Sequence, residues 1–131
     1  MQRVDRAPGV TDPLGPYSHA VVAGDFVHVA GQVGVGPDGK VVGPGDAEAQ
    51  ARQAYANLAA VLRSAGSGLD RLVKLTVYLT DMADLPAASR IRRELFAEGE
   101  YPASTVVQVS QLADPSWLIE VDAVAYVRGD G

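Results

Sequence analysis

Glu120 and Asp122 stand two residues apart in "WLIEVDAVAYV", a stretch whose apolar positions alternate. On a strand that spacing puts both carboxylates on one face, roughly 7 Å apart. Two acids so close in a partly buried setting hold at least one carboxyl above its ordinary pKa, which suits proton transfer near neutrality. The same spacing serves equally well for two ion pairs, with Lys74 or with an arginine across an interface. A second candidate is "YPASTVVQV" at residues 101 to 109. Its proline, followed by small hydroxylated residues, predicts a half-buried strand that brings the short, neutral Ser104 to the rim of a sheet.

Other chemistries find less support. His19 and His28 fall on one face of a predicted hairpin centred on Gly24 and Asp25. Two imidazoles without a third ligand make a poor metal site, so no metal is expected. The chain has no cysteine, which removes thiolate nucleophiles, disulfides and zinc-thiolate sites. Its serines lie in no nucleophile-elbow motif. The run "GVGPDG" lacks the lysine of a phosphate-binding loop and opens no helix directly, so no nucleotide cofactor is expected.

The elements that must position these residues follow from periodicity. Residues 1 to 16 hold three prolines and two glycines and read as an irregular lead-in. "YSHAVVAGDFVHVAGQ" predicts a hairpin, and Lys40 to Val42, after the "GPDG" turn, a short third strand. Ala47, Ala51, Ala54, Leu58, Val61, Leu62 and Ala65 then recur at helical steps, with Asp46 as N-cap and Gly66 and Gly68 as the stop. "LVKLTVYL" alternates, with Val73, Leu75, Val77 and Leu79 on one face and Lys74, Thr76 and Tyr78 on the other. A second helix is predicted over Asp84 to Ala97, its apolar stripe being Leu85, Ala88, Ile91, Leu95 and Phe96. In the last strand Trp117, Ile119, Val121, Ala123, Ala125 and Val127 share the apolar face. The order β-β-β-α-β-α-β-β implies an α/β (α+β) fold, a mixed six-stranded sheet with two helices on one face.

The other face gathers Lys74, Thr76, Tyr78, Ser104, Val106, Gln108, Leu118, Glu120, Val124 and Tyr126. This mixture is too apolar for a solvated surface, so a homo-oligomer that buries it is expected. Length and composition set outer bounds. A chain of 131 residues, 47% hydrophobic and 21% charged, suits one domain over 1–131 with its own core. A net charge of -5 argues against nucleic acid as a partner, and Arg90, Arg92 and Arg93 beside Glu94 read as a solvated helix face. With no leader-like apolar segment and no apolar run long enough to cross a bilayer, a cytoplasmic protein without membrane contact is expected.

Several motifs converge on a known family. "GPYSHAV", "VAGQVGV", "AQARQAYANLAAVLRSAGSGLDRLVKLTVYLTDMADL", "YPASTVVQVSQL" and "IEVDAVA" are together similar to the RidA (YjgF/YER057c/UK114) family, from about Gly15 to Val127. The resemblance implies a chorismate-mutase-like subunit, a homotrimer, and a small-molecule pocket at each subunit interface. It implies hydrolysis of reactive enamines and imines to a carbonyl compound and ammonia, a form of metabolite repair, without a cofactor. Tyr17, Gly31 and Glu120 match positions that line the family's pocket, with Glu120 orienting water or moving a proton. The family's motif Pro-Ala-Arg-Ser/Thr, whose arginine clamps the substrate carboxylate, reads here Pro102, Ala103, Ser104, Thr105. Ala30 stands where serine or threonine is common, Ser89 where asparagine is frequent and Gln108 where glutamate is common. Tyr17, Ala30, Gly31, Ser89, Ser104 and Val106 are thus the substrate-binding candidates. The implied substrate is an enamine or imine without a free α-carboxylate. A non-catalytic small-molecule-binding member is the alternative, and an endoribonuclease a more distant one.

Overall fold

The computed structural model describes residues 1–127. The last four positions of the expected domain lie outside the described residues. The strands are β1 (Gln2–Val4), β2 (Ala20–Ala23), β3 (Phe26–Val33), β4 (Leu72–Leu79), β5 (Ala103–Gln108) and β6 (Ile119–Tyr126), with helices α1 (Ala47–Ser64) and α2 (Leu85–Leu95). They form one six-stranded sheet in the order β1-β2-β3-β6-β4-β5. Only β4 and β5 pair in parallel. Because β6 runs antiparallel to both β3 and β4, α1 and α2 are successive crossovers that advance the same way across the sheet. Crossovers of one hand place both helices on the same face, and α1 lies over β3 and β6 and against α2.

The strand order in sequence matches the expectation, but two members differ. The lead-in is not wholly irregular: Gln2–Val4 pairs with β2, and Val4 and Ala7 are buried in the core. Residues 40 to 42 form no strand, and Val41 makes a single bridge to Val35. The three prolines, Pro8, Pro13 and Pro16, all follow edge strand β1 and so do not bear on its pairing.

Helix α1 starts where its cap dictates, with the Asp46 carboxylate accepting from the Ala49 N–H at 3.1 Å. It ends at Gly66, whose φ of 82° lets the Ser67 N–H turn back to the Leu62 carbonyl at 2.8 Å. Leu58, Val61 and Leu62 are sealed against Leu75, Val77, Leu79 and Val121. Each is worth roughly 1.5–3 kcal/mol relative to exposure. Val73 does not join them: the β4–β6 ladder shifts between Leu72 and Lys74, and the extra residue turns Val73 outward, 42% exposed. Leu95, at the end of α2, is likewise exposed. Across the helix pair, Arg52 bonds Glu94 and Glu48, and Arg90 bonds Glu48, so part of the basic run is tied down.

Two buried amides on the apolar stripe of α1 fasten it to the sheet. Asn57 donates to the carbonyls of Val33 and Val35 at 3.0 and 2.9 Å. Gln50 accepts from the Leu118 N–H at 2.9 Å and donates to the Ser116 carbonyl at 3.2 Å. Close approach at this point requires Gly34, because a Cβ there would fall 2.6 Å from Gln50 Cα. Asn57→Ala removes the amide from two carbonyls, of which Val33's keeps the Val35 N–H at 2.9 Å, and is expected to lower the unfolding free energy by about 1–3 kcal/mol. A urea midpoint unchanged from the parent protein would show that water replaces the amide.

Candidate active site

The site begins with an extra residue in β3. Val29 lies opposite Ala123 and Gln32 opposite Val121, so Ala30 and Gly31 together face Asp122. A bulge of this kind bends its strand and re-aims the neighbouring side chains. Glu120 of β6 folds its carboxyl over the bulge. A Cβ added to Gly31 would lie 2.5 Å from Glu120 Cδ and 2.8 Å from its Cγ, so only glycine leaves the carboxylate in place. Tyr17, Ala30, Gly31 and Glu120, four of the expected site residues, converge on one cavity of about 410 Å³, which Leu14, Gly15, Val33, Ala113 and Trp117 complete.

A buried polar chain holds the lead-in against this bulge. The Gln32 amide nitrogen lies 3.1 Å from the Ala30 carbonyl and 3.3 Å from His19 Nδ1, while His19 Nε2 lies 2.7 Å from the Thr11 carbonyl. The amide donates both its hydrogens, which makes Nδ1 the acceptor and Nε2 the donor of a neutral imidazole. The Ala30 N–H bonds the His19 carbonyl at 2.8 Å. Residues 11 to 19, which carry Leu14, Gly15 and Tyr17, are thereby anchored at both ends of the cavity wall. The hairpin turns at Gly24 and Asp25 as expected, and with Val21 opposite His28 and the Ala30 N–H on the His19 carbonyl the two histidines fall on one face; His19 is buried there and His28 exposed.

The two carboxylates have separate environments. Asp122 accepts from the Tyr78 hydroxyl at 2.9 Å, and this bond above all raises the Tyr78 pKa. Lys74 reaches the Thr105 hydroxyl at 2.8 Å instead. Glu120 has no cation within ion-pair distance among the described residues. Burial, reinforced by the charge of Asp122, pushes its carboxyl above the ordinary range. Such a group holds and releases a proton closer to neutrality than a free carboxylate does.

Strand β5 corrects the expected face. Ser104, Val106 and Gln108 sit beside Leu75, Val77 and Leu79, on the helix side of the sheet. Ala103, Thr105 and Val107 share the open face with Lys74, Thr76 and Tyr78. Val106 packs on the core, and Gln108 accepts from the Met82 N–H at 2.8 Å. Alternation within β5 could not decide this, because both its faces mix polar and apolar residues and its register comes from β4. Ser104 is exposed on this edge strand, Ser89 is half-buried on α2, and neither these two nor Val106 line the cavity. Sequence reasoning placed Trp117 on the apolar helix face. It precedes β6, so strand parity does not apply to it, and its ring lines the cavity.

The raised carboxyl of Glu120 has a consequence for stability. The folded protein binds that proton more tightly than the unfolded chain, so this group's contribution falls as pH rises from the ordinary carboxylate range through the folded pKa. Glu120→Gln is therefore expected to melt higher than the parent protein at about pH 7, with the gap closing near pH 4. A lower melting temperature at both pH values would mean that the carboxylate has a partner it depends on.

Comparison with known proteins agrees with this arrangement. A family model described as Endoribonuclease L-PSP matches residues 7–127. A RutC family protein of Pyrococcus horikoshii is 39% identical over 126 residues, 96% of this chain and 98% of the relative. The 2-iminobutanoate/2-iminopropanoate deaminase of Homo sapiens is 37% identical over 121 residues, 92% of this chain and 84% of the relative. The crystal structure of E. coli TdcF with bound serine superimposes with a TM-score of 0.86 at 28% identity, covering 95% of this chain and 98% of that one. Matched along nearly its whole described length, with the same fold and the motifs around the Gly31–Glu120 cavity, the chain belongs to the RidA (YjgF/YER057c/UK114) family.

Proposed function

We propose that the protein is a cytoplasmic, cofactor-independent hydrolase that deaminates a small enamine or imine lacking a free α-carboxylate. The observation that carries this reading is Glu120, half-buried over Gly31 in a cavity beside Tyr17 and without an ion-pair partner among the described residues. A protonated imine has an electrophilic carbon. Water adds to it while Glu120 takes a water proton and the C=N π pair moves to nitrogen. Glu120 returns that proton to nitrogen, and the C–N bond then breaks as the new hydroxyl gives its proton back to Glu120 and on to the departing ammonia, giving a carbonyl compound and ammonium. A carboxyl with a raised pKa serves both directions of that transfer. Family members named imine deaminases support the reaction class.

The substrate assignment rests on Ser104. A serine offers one neutral donor where the family's motif carries a guanidinium fork. Losing such a clamp costs a carboxylate-bearing substrate about 2–4 kcal/mol. Ser104 lies exposed on edge strand β5, so it and Val106 serve the pocket only if a second copy of the chain brings them there. Phe26, Val107 and Tyr126, each more than a third exposed, lie on the sheet face that the helices leave open, which supports a homotrimer burying that face. The same missing clamp favours one alternative, a non-catalytic member that binds a small metabolite. The ribonuclease of the family model's description fits less well, since a chain of net charge -5 lacks the basic surface that RNA needs.

The decay of a 2-imino acid generated in situ by an amino-acid oxidase tests this reading. The parent protein is expected to match buffer, and Ser104→Arg to accelerate decay by tenfold or more. Glu120→Gln in the Ser104→Arg background is expected to return to the buffer rate. Acceleration by the parent protein would show that another group holds the carboxylate, and an inactive Ser104→Arg would move the binding reading ahead.

A further inference from the structure

The cavity's charge and walls specify more about its ligand than the absent clamp does. Its two large polarisable rings, Tyr17 and Trp117, share the lining with a single ionisable group of full charge, Glu120. Among the described residues no lysine, arginine or histidine lines it. Arg3 and Arg6 line a second cavity that shares Gly15 and Tyr17 with this one. Asp5 and Asp12 accompany them there, and Arg6 pairs with Asp12 at 3.7 Å, so little positive field is left over.

The main chain around Trp117 is fixed although it lies outside any strand. The carbonyl before it and the N–H after it, those of Ser116 and Leu118, both bond the fully buried Gln50 amide. Its own N–H bonds the Asp114 carbonyl at 3.0 Å. Nothing in the resemblance or in Glu120's acid–base role requires an indole on this fixed stretch of main chain. A half-buried carboxylate that shares a cavity with two aromatic residues is an arrangement that attracts an organic cation, by charge and by the ring quadrupoles together.

We infer that this cavity selects a planar organic cation bearing an apolar substituent, an iminium or amidinium rather than a carboxylate-bearing compound, with Trp117 as a specificity-determining residue. The inference rests on reading the Tyr17–Glu120 cavity as the ligand site and adds the sign of the ligand's charge. It also means that the protonated imine, the form that water attacks, is the form the site binds.

The chain has one tryptophan, so its fluorescence reports on this wall alone. Three probes of one shape separate the charges: benzamidinium, benzamide and benzoate, titrated into the full chain with excitation of Trp117. Benzamidinium is expected to shift the emission saturably and to bind at least tenfold tighter than benzoate, with benzamide between them. Glu120→Gln is expected to reduce that ratio to about twofold or less. Trp117→Leu, followed by calorimetry, is expected to weaken benzamidinium about two- to thirtyfold and benzamide less. Benzoate binding as tightly as benzamidinium would overturn the inference. So would a preference that survives Glu120→Gln, or an emission that no benzamidinium concentration changes. Cation preference without imine turnover would instead defeat the hydrolase reading and leave this one standing, and turnover with equal binding of benzoate would do the reverse.

Discussion

Glu120 occupies the floor of the cavity because β3 carries one more residue than the β6 segment it faces. Without the bulge at Ala30 and Gly31, the ladder from Val29 to Val33 would run in even register. The residue beneath the carboxyl would then carry a Cβ, or point the other way. The bulge puts bare backbone at the one place where Glu120 folds down. Everything else in the site is arranged around that contact. Val33, the residue paired with Glu120, becomes a wall, and the lead-in is drawn across the opening by His19 and Gln32.

Side-chain amides and one imidazole do most of this positioning, and they work because they are buried. Gln32, Gln50, Asn57 and His19 are each nearly inaccessible, where an unmet polar atom is costly. Each bonds main-chain groups that no strand or helix ladder satisfies: the bulge carbonyl, the carbonyls leaving β3, and the groups flanking Trp117. A core of leucine and valine would hold the helices to the sheet equally well, but it could not dictate where these irregular segments run. The polar residues thus convert a generic two-layer fold into one with a defined cavity at its end.

The cavity's chemistry follows from unequal treatment of two similar groups. Asp122 accepts a hydrogen bond from the Tyr78 hydroxyl, whereas Glu120 lies half-buried over the Ala30–Gly31 bulge, where burial above all raises its pKa. Among the described residues only Asp122 has a side-chain partner, which leaves the Glu120 carboxyl open to the cavity. A single strand supplies both because alternation brings them to one face and the bulge opposite distinguishes them.

Helical and strand periods were legible in the chain itself. Both helices, the Asp46 cap, the Gly24–Asp25 turn and the apolar faces of β4 and β6 each depend on side chains a few residues apart, whose burial is decided locally by repeat and capping. The motifs around Tyr17, Gly31 and Glu120 likewise marked the residues that meet in the cavity. Gln50 and Asn57 were not singled out, although polar residues so close to the stripe of Ala54, Leu58 and Val61 were the signal that could have found them. What local pattern could not carry was everything set by a partner far away in sequence. The outward turn of Val73, the face of Ser104 and Val106, the strand at Gln2–Val4 and the place of Trp117 all depend on register against another segment, where a shift of one residue reverses a side chain. The amino-acid order by itself determined which elements form and which residues are fit for chemistry. Only the tertiary structure decided which of those residues face one another, because pairing between distant strands is a property of the assembled sheet.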